Sequence, residues 1–357
     1  MSERRPRTPV RSARDVLPAT MRALEISRYD PSFRSLRCCE KALPRPTRGE
    51  VLVRIEYSPI NPSDLMFVAG RYVLEKSLPV VPGMVASGTI VKAGGGWLAT
   101  ALVGRRVCCS APEDRDGTWA EYMVTPAELC VPLFPGVTNE QGCNLLANPA
   151  TALGLLAQIR RGGHRAALQN AAAGEVGRML ALLCRDRGIP LLQIVHRPEQ
   201  VELLKEAGAR HVLWSGAEDF EEALRDQAAA LSATIAFDAV AGEITKSLLR
   251  ALPPRGQVCI FGRLSNDVVA FDALDLLVKD ERSLRGFSIY EWLLGKSLAG
   301  RLRVVQQAQA LVRRYRPRPA RVATLGEIAM EFEDIARSPT TRGKVWIAPA
   351  AAGTEIP

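Results

Sequence analysis

The chain has 357 residues, 47% of them hydrophobic and 24% charged, with a formal charge of +9. That length accommodates two domains with sizeable cores. No run of about 18 apolar residues occurs, which argues against a membrane span, and the basic residues are scattered without interleaved stacking aromatics, which argues against a nucleic-acid partner.

The first twenty residues carry Arg4, Arg5, Arg7, Arg11 and Arg14 among prolines and serines and read as a disordered tail. They lack the apolar core of a secretory signal, so the expected compartment is the cytoplasm, or the mitochondrial matrix if this segment is a transit peptide. Eight cysteines occur with no C-x-x-C spacing, and the three histidines (His164, His196, His211) all fall in the second half. Neither a disulfide framework nor a metal site is expected from that pattern.

Residues 21–147 read as a β-rich domain. Val51, Val53 and Ile55 alternate in VLVRIEY, and VASGTIVKAG, RRVCC and TWAEYMV follow between Gly/Pro turns. The stretch from Asn139 reads as helix, restarted at Pro149, where proline suits a first helical turn. Residues 148–290 then alternate strand and helix: AALQNA, LLQIV, HVLW, TIAFDAV, QVCIFG and SLRGFSI are short apolar strands joined by helical segments. Six such strands call for a parallel sheet covered on both faces, giving an α/β, doubly wound Rossmann-type domain. Residues 291–357 hold a helical run and two short strands, too few for a core of their own, and are expected to return to the first domain.

The sharpest local motif follows the first of those six strands. In Gln169-Asn170-Ala171-Ala172-Ala173-Gly174-Glu175-Val176-Gly177, glycines three apart open a helix, so that backbone N–H groups can approach a pyrophosphate. Ala172 replaces the first glycine of the usual fingerprint, and close helix-to-strand packing would also need small residues here. The next strand ends at His196-Arg197, where an NAD-selective site would carry an acid. A basic pair there favours a 2′-phosphate and therefore NADPH, while a solvent-facing basic turn is the competing account.

Ile60-Asn61-Pro62-Ser63-Asp64, Gly70-Arg71-Tyr72, Val81-Pro82-Gly83, Gly117-Thr118-Trp119, Asn148-Pro149-Ala150-Thr151-Ala152 and Leu284-Arg285-Gly286-Phe287 occur in this order. With them the chain resembles the medium-chain dehydrogenase/reductase superfamily, in its zinc-independent quinone oxidoreductase-like and 2-enoyl thioester reductase branch. The resemblance implies that the β-rich domain is GroES-like. Zinc-dependent members carry Gly-His-Glu after the loop proline, whereas Met84 and Val85 follow Pro82-Gly83 here, and neither can ligate Zn²⁺ in their place.

Without a metal, the oxyanion formed on hydride addition needs another donor. The resemblance gives that role to Tyr72, with Asn61 orienting it or the nicotinamide amide and Trp119 near an acyl pocket. It also places Asn148, Thr151, Phe261, Gly262, Phe287 and Lys344 around the cofactor, beside Ala173, Gly174, Glu175, Val176, His196 and Arg197. Loop packing for Tyr72, core packing for Trp119 and simple solvation for Lys344 are the competing accounts.

The implied function is NADPH-dependent reduction of an activated C=C bond, foremost a trans-2-enoyl thioester on CoA or acyl carrier protein, with hydride to the β-carbon and Tyr72 stabilising or protonating the enolate. Two alternatives stay open: a quinone or enone reductase, and a catalytically silent NADPH-binding interaction protein. A homodimer is implied by resemblance alone. The family's enoyl reductases usually show a polar or acidic residue after the loop Pro-Gly and an arginine where His196 stands, and this chain has neither.

Overall fold

The computed structural model describes residues 17–265, 267–277, 281–337 and 344–349. Positions 1–16 of the expected tail therefore lie outside the described residues, and the first strand opens at Thr20.

Seven strands form in the N-terminal part: β1 (Thr20–Ile26), β2 (Leu36–Ala42), β3 (Glu50–Pro59), β4 (Val85–Ala93), β5 (Arg106–Ser110), β6 (Tyr122–Pro126) and β7 (Cys130–Pro132). Strands β1 and β2 make an antiparallel hairpin. The long strand β3 pairs antiparallel with both β4 and β6, and at its far end with β15 (Val345–Ile347), which itself pairs parallel with β14 (Arg321–Ala323). Residues more than two hundred positions apart thus share one sheet. Central placement also explains why β3, half-buried by its alternation, buries Leu52 as fully as Val51 and Val53.

The second domain contains β8 (Ala167–Gln169), β9 (Leu191–Val195), β10 (His211–Trp214), β11 (Ile235–Asp238), β12 (Gln257–Ile260) and β13 (Ser283–Gly286). Every pairing is parallel, and the spatial order is β10-β9-β8-β11-β12-β13. Numbered within the sheet this is 3-2-1-4-5-6, the doubly wound order in which the crevice opens where the order reverses, beyond β8 and β11. Apolar residues pack on both faces. Leu168, Leu192 and Val258 belong to one cluster, while Ala167, Leu191 and Phe237 join another that takes in the helix Asn148–Arg161. The helix Leu298–Tyr315 completes the latter cluster through Val304, Ala308, Leu311 and Val312, so the segment after residue 290 contributes to both domains before β14 and β15 rejoin the first. Among the described residues no helix is long and apolar enough to cross a membrane.

Candidate active site

The site is built from strand ends. β8 runs into Asn170 and the Ala171–Gly174 turn, β9 into His196-Arg197, β12 into Phe261-Gly262 and β13 into Phe287, so the expected cofactor residues follow the C-terminal ends of neighbouring parallel strands. The turn after β8 is tightly fitted. A Cβ on Gly177 would come 2.6 Å from the carbonyl oxygen of Ala172, and Gln169 Nε2 donates to the Gly177 carbonyl at 3.0 Å, drawing the helix Glu175–Arg185 onto the strand. Gly174 stands exposed at the N-cap of that helix, whose first N–H groups have no partner within the helix. Ala173 is buried, Val176 and Arg197 are half-buried, and His196 is exposed.

Two buried polar side chains fix the switch point. Asn170 Nδ2 donates to Asp238 Oδ1 at 2.6 Å, while Asn170 Oδ1 accepts from the Ala239 N–H at 2.7 Å. Asp238 also accepts from Val240 N–H, Ala241 N–H and Thr245 Oγ1, and so ties the turn after β11 to the turn after β8. Asp238 was not singled out by the sequence. It looks like an ordinary acid at the end of an apolar strand, and only the parallel pairing of β11 with β8 brings it to Asn170.

The other wall comes from the first domain. Asn61 caps the helix Pro62–Val68, and Asp64 Oδ2 reaches back to accept its N–H at 2.7 Å. Asp64 Oδ1 accepts the Met84 N–H at 3.0 Å. The carboxyl of Asp64 therefore anchors the loop in which Met84 and Val85 stand, yet it is wholly buried, and burial lifts it from 3.8 to about 7 against the opposing pull of its hydrogen bonds and of Lys344. Gly83 takes φ +95°, and a Cβ there would meet Thr118 Oγ1 and Trp119 Cδ1 at 2.4 Å, so this turn requires glycine on both counts.

Tyr72 is half-buried beside the apolar cluster of the first domain. Burial, and after it the negative charges of Asp64 and Glu113, push its phenol above the usual value, so the hydroxyl keeps its proton throughout the neutral range. The loop that carries it is pinned twice. Lys76 Nζ donates to the carbonyls of Pro112 and Arg115 at 2.7 and 2.8 Å, and Tyr29 Oη accepts the Lys76 N–H at 2.6 Å. Lys76 had given no sign of this role, because its partners are backbone carbonyls some forty residues away.

Trp119, expected near an acyl pocket, lies in the core of the first domain. It is 0% exposed and packs edge-on against Phe332 with centroids 5.5 Å apart, so in this structure it is core, with its indole N–H buried and unpartnered.

A continuous polar chain crosses between the domains. Asn61 Nδ2 donates to Asn144 Oδ1 at 3.4 Å, and Asn144 Nδ2 donates to Glu175 Oε2 at 3.1 Å. Asn148 Nδ2 donates to the same Glu175 oxygen. Lys344 Nζ donates to Asn61 Oδ1 and lies 3.4 Å from Glu175 Oε2. Asn61, Asn148, Glu175 and Lys344 are thus brought together, while Thr151 stands one turn after Asn148 in the helix Asn148–Arg161 and Phe287 packs against Gly154 and Trp292. Asn144 was missed; its signal is the pair of asparagines four apart in NLLANPAT. Among the described residues no three His, Cys, Asp or Glu side chains are grouped so as to hold a metal ion.

A β-rich domain leaning over the switch point of a 3-2-1-4-5-6 sheet, with polar side chains from both converging on one helix start, is the architecture of a dinucleotide-dependent oxidoreductase. The sequence model of the alcohol dehydrogenase GroES-like domain matches residues 47–135, and that of the zinc-binding dehydrogenase family matches residues 176–302. A solved structure assigned as an NADPH:quinone reductase from Mesorhizobium loti superposes with a TM-score of 0.86 at 30% identity, covering 94% of this chain and 100% of that one. Prostaglandin reductase-3 of Bos taurus is 28% identical over 290 residues, 78% of this chain and 74% of its own. The mitochondrial enoyl-[acyl-carrier-protein] reductase of Xenopus tropicalis is 26% identical over 309 residues, 81% and 83% of the two chains. The chain belongs to the medium-chain dehydrogenase/reductase superfamily, in its zinc-independent quinone oxidoreductase and enoyl reductase branch.

Proposed function

We propose that the protein is an NADPH-dependent reductase of an activated C=C bond and that its substrate is a 2-enoyl thioester carried on CoA or acyl carrier protein. The observation that supports the reading is Tyr72: a half-buried phenol whose proton is held by burial and by the nearby carboxyls of Asp64 and Glu113, on a loop pinned by Lys76, in a chain whose second domain has the strand order of a dinucleotide crevice. The residues present fit the cofactor. Gly174 leaves the helix start exposed, and Arg197 at the end of β9 supplies a cation where a 2′-phosphate would lie. When bound, NADPH supplies the hydride.

The chain's own residues do the rest. Tyr72 donates a hydrogen bond to the thioester oxygen as negative charge develops there and returns a proton to the α-carbon, Asp64 and Lys76 hold the loops around it, and Asn61 and Asn148 orient the polar end of the cofactor. The M. loti relative's name favours a second reading, a quinone as acceptor, for which the same cofactor crevice serves without a thioester contact. A homodimer would use β13, the outermost strand on its side of the sheet among the described residues; the mass of the protein in solution checks this.

The discriminating experiment compares NADPH oxidation with enoyl-CoA esters and with a simple quinone, in the wild type and in Tyr72→Phe. Loss of the hydroxyl should lower kcat on enoyl-CoA by about 10²- to 10⁴-fold, as for a missing general acid, with little change in thermal midpoint. Unchanged enoyl-CoA turnover in that variant would remove Tyr72 from the mechanism, and turnover of quinones alone would favour the second reading.

A further inference from the structure

Glu175 is out of keeping with its position. It is the first residue of the helix Glu175–Arg185, directly after the exposed Gly174, where the approach of a dinucleotide's phosphates relies on bare backbone N–H groups and the positive helix end. A carboxylate there occupies the same positive potential that an anionic ligand would use. Its side chain is not turned away into solvent. Glu175 Oε2 accepts from Asn144 and Asn148 and lies 3.4 Å from the Lys344 ammonium, with the two charged side chains only 11% and 20% exposed, so solvent screening of the pair is weak. Lys344 is meanwhile held from the other side by Asn61 of the first domain. One cation and two amides at the mouth of the crevice are therefore already committed to an internal anion.

Resting on the cofactor reading above, we propose that Glu175 is a built-in competitor for the phosphates of NADPH: it engages Lys344 and Asn148 in the cofactor-free protein and gives them up when the dinucleotide binds, which weakens affinity and speeds release. The pair also joins the two domains, so it acts as a tie across the cleft that exchanges for contacts to the bound cofactor. A merely structural pair, by contrast, would stabilise the fold and leave cofactor affinity alone.

The test is the equilibrium and kinetics of NADPH binding to the intact protein, read from nucleotide fluorescence and from stopped-flow displacement, with no substrate present. Glu175→Gln keeps an acceptor for the two asparagines and removes the charge; it should lower Kd about tenfold, a change of about 1.4 kcal/mol, chiefly through slower dissociation. Glu175→Ser, which suits a helix start and also removes the charge, should shift Kd in the same direction and serves if the glutamine variant does not fold. Lys344→Met, which leaves Glu175 uncompensated, should raise Kd more than tenfold. An unchanged or raised Kd in both Glu175 variants, with the wild type binding NADPH normally, would overturn this proposal alone. Failure of the wild type to bind NADPH would instead overturn the cofactor reading on which it rests.

Discussion

Replacing Asp64 with Asn should remove a fall in the protein's stability between about pH 4 and pH 7. The carboxyl is wholly buried, and its value rises from 3.8 to about 7 because burial outweighs the two backbone N–H donors and the Lys344 charge. Between those two values the folded chain holds a proton that the unfolded chain has already released, so stability falls as pH rises from about 4 towards 7 and levels off above it. At the conversion of 1.36 kcal/mol per pH unit, the full displacement is worth roughly 4 kcal/mol, of which about 3 kcal/mol is expressed between about pH 5 and pH 9. The charged groups that feel this carboxyl are Lys344, the Tyr72 phenol and Lys76. An asparagine offers one acceptor oxygen where the carboxyl accepts backbone N–H groups on both, so the variant should be less stable than the wild type by about 1–3 kcal/mol at the acid end, the cost of one buried unsatisfied donor. Going to the alkaline end, the variant should gain on the wild type by about 3 kcal/mol. Thermal unfolding of the two proteins across this range is the assay, with both in one buffer series at fixed ionic strength. A stability difference that stays constant with pH, or that moves in favour of the wild type as pH rises, would refute the assignment of a strained buried carboxyl to Asp64.

Two further outcomes follow from the geometry. Trp119→Phe should lower stability by about 1–3 kcal/mol, since it shrinks a fully buried ring packed on Phe332, while leaving KM for any substrate unchanged; a KM shift without a stability loss would return Trp119 to the substrate pocket. Arg197→Ala should reduce the preference for NADPH over NADH by roughly 10- to 100-fold, the worth of a charge-assisted hydrogen bond to a phosphate; an unaltered ratio of the two Kd values would show that the preference is set elsewhere.

The fold of the nucleotide domain was legible because each of its strands is a short apolar run between helical segments, and that pattern has only one economical solution in space. The glycine motif was legible for a similar reason: Gly177 must approach Ala172, so sequence and sterics say the same thing. What could not be read was whatever depends on distance across the fold. Asp64 stands in the sequence only as the last residue of the Ile60–Asp64 block, and its burial becomes visible only once the Met84 loop folds over it. Asn144 and Glu175 are thirty-one positions apart and meet only in the fold, where Glu175 also faces Lys344 from near the opposite end of the chain. Trp119 depends on distance across the fold as well. A resemblance carried over by position assigned it to the substrate, whereas Gly83 and Phe332 close around it completely. Aromatic residues in β-rich domains bury the largest areas, and burial is the stronger prior where no polar handle is satisfied.

The pairing of β15 with β3 has a consequence for how the protein is made. The central strand of the first sheet leaves the ribosome early, but the strand that completes its far end, and Lys344 immediately before it, arrive only after the whole nucleotide domain has been synthesised. Domains that fold as they emerge do so in order from the N-terminus. Here the sheet of the N-terminal domain lacks its last two strands until late in synthesis, by which time every strand of its neighbour has been made. A nascent or truncated chain that stops short of Lys344 and β15 would carry all six strands of the nucleotide domain without the ammonium that joins Asn61 to Glu175.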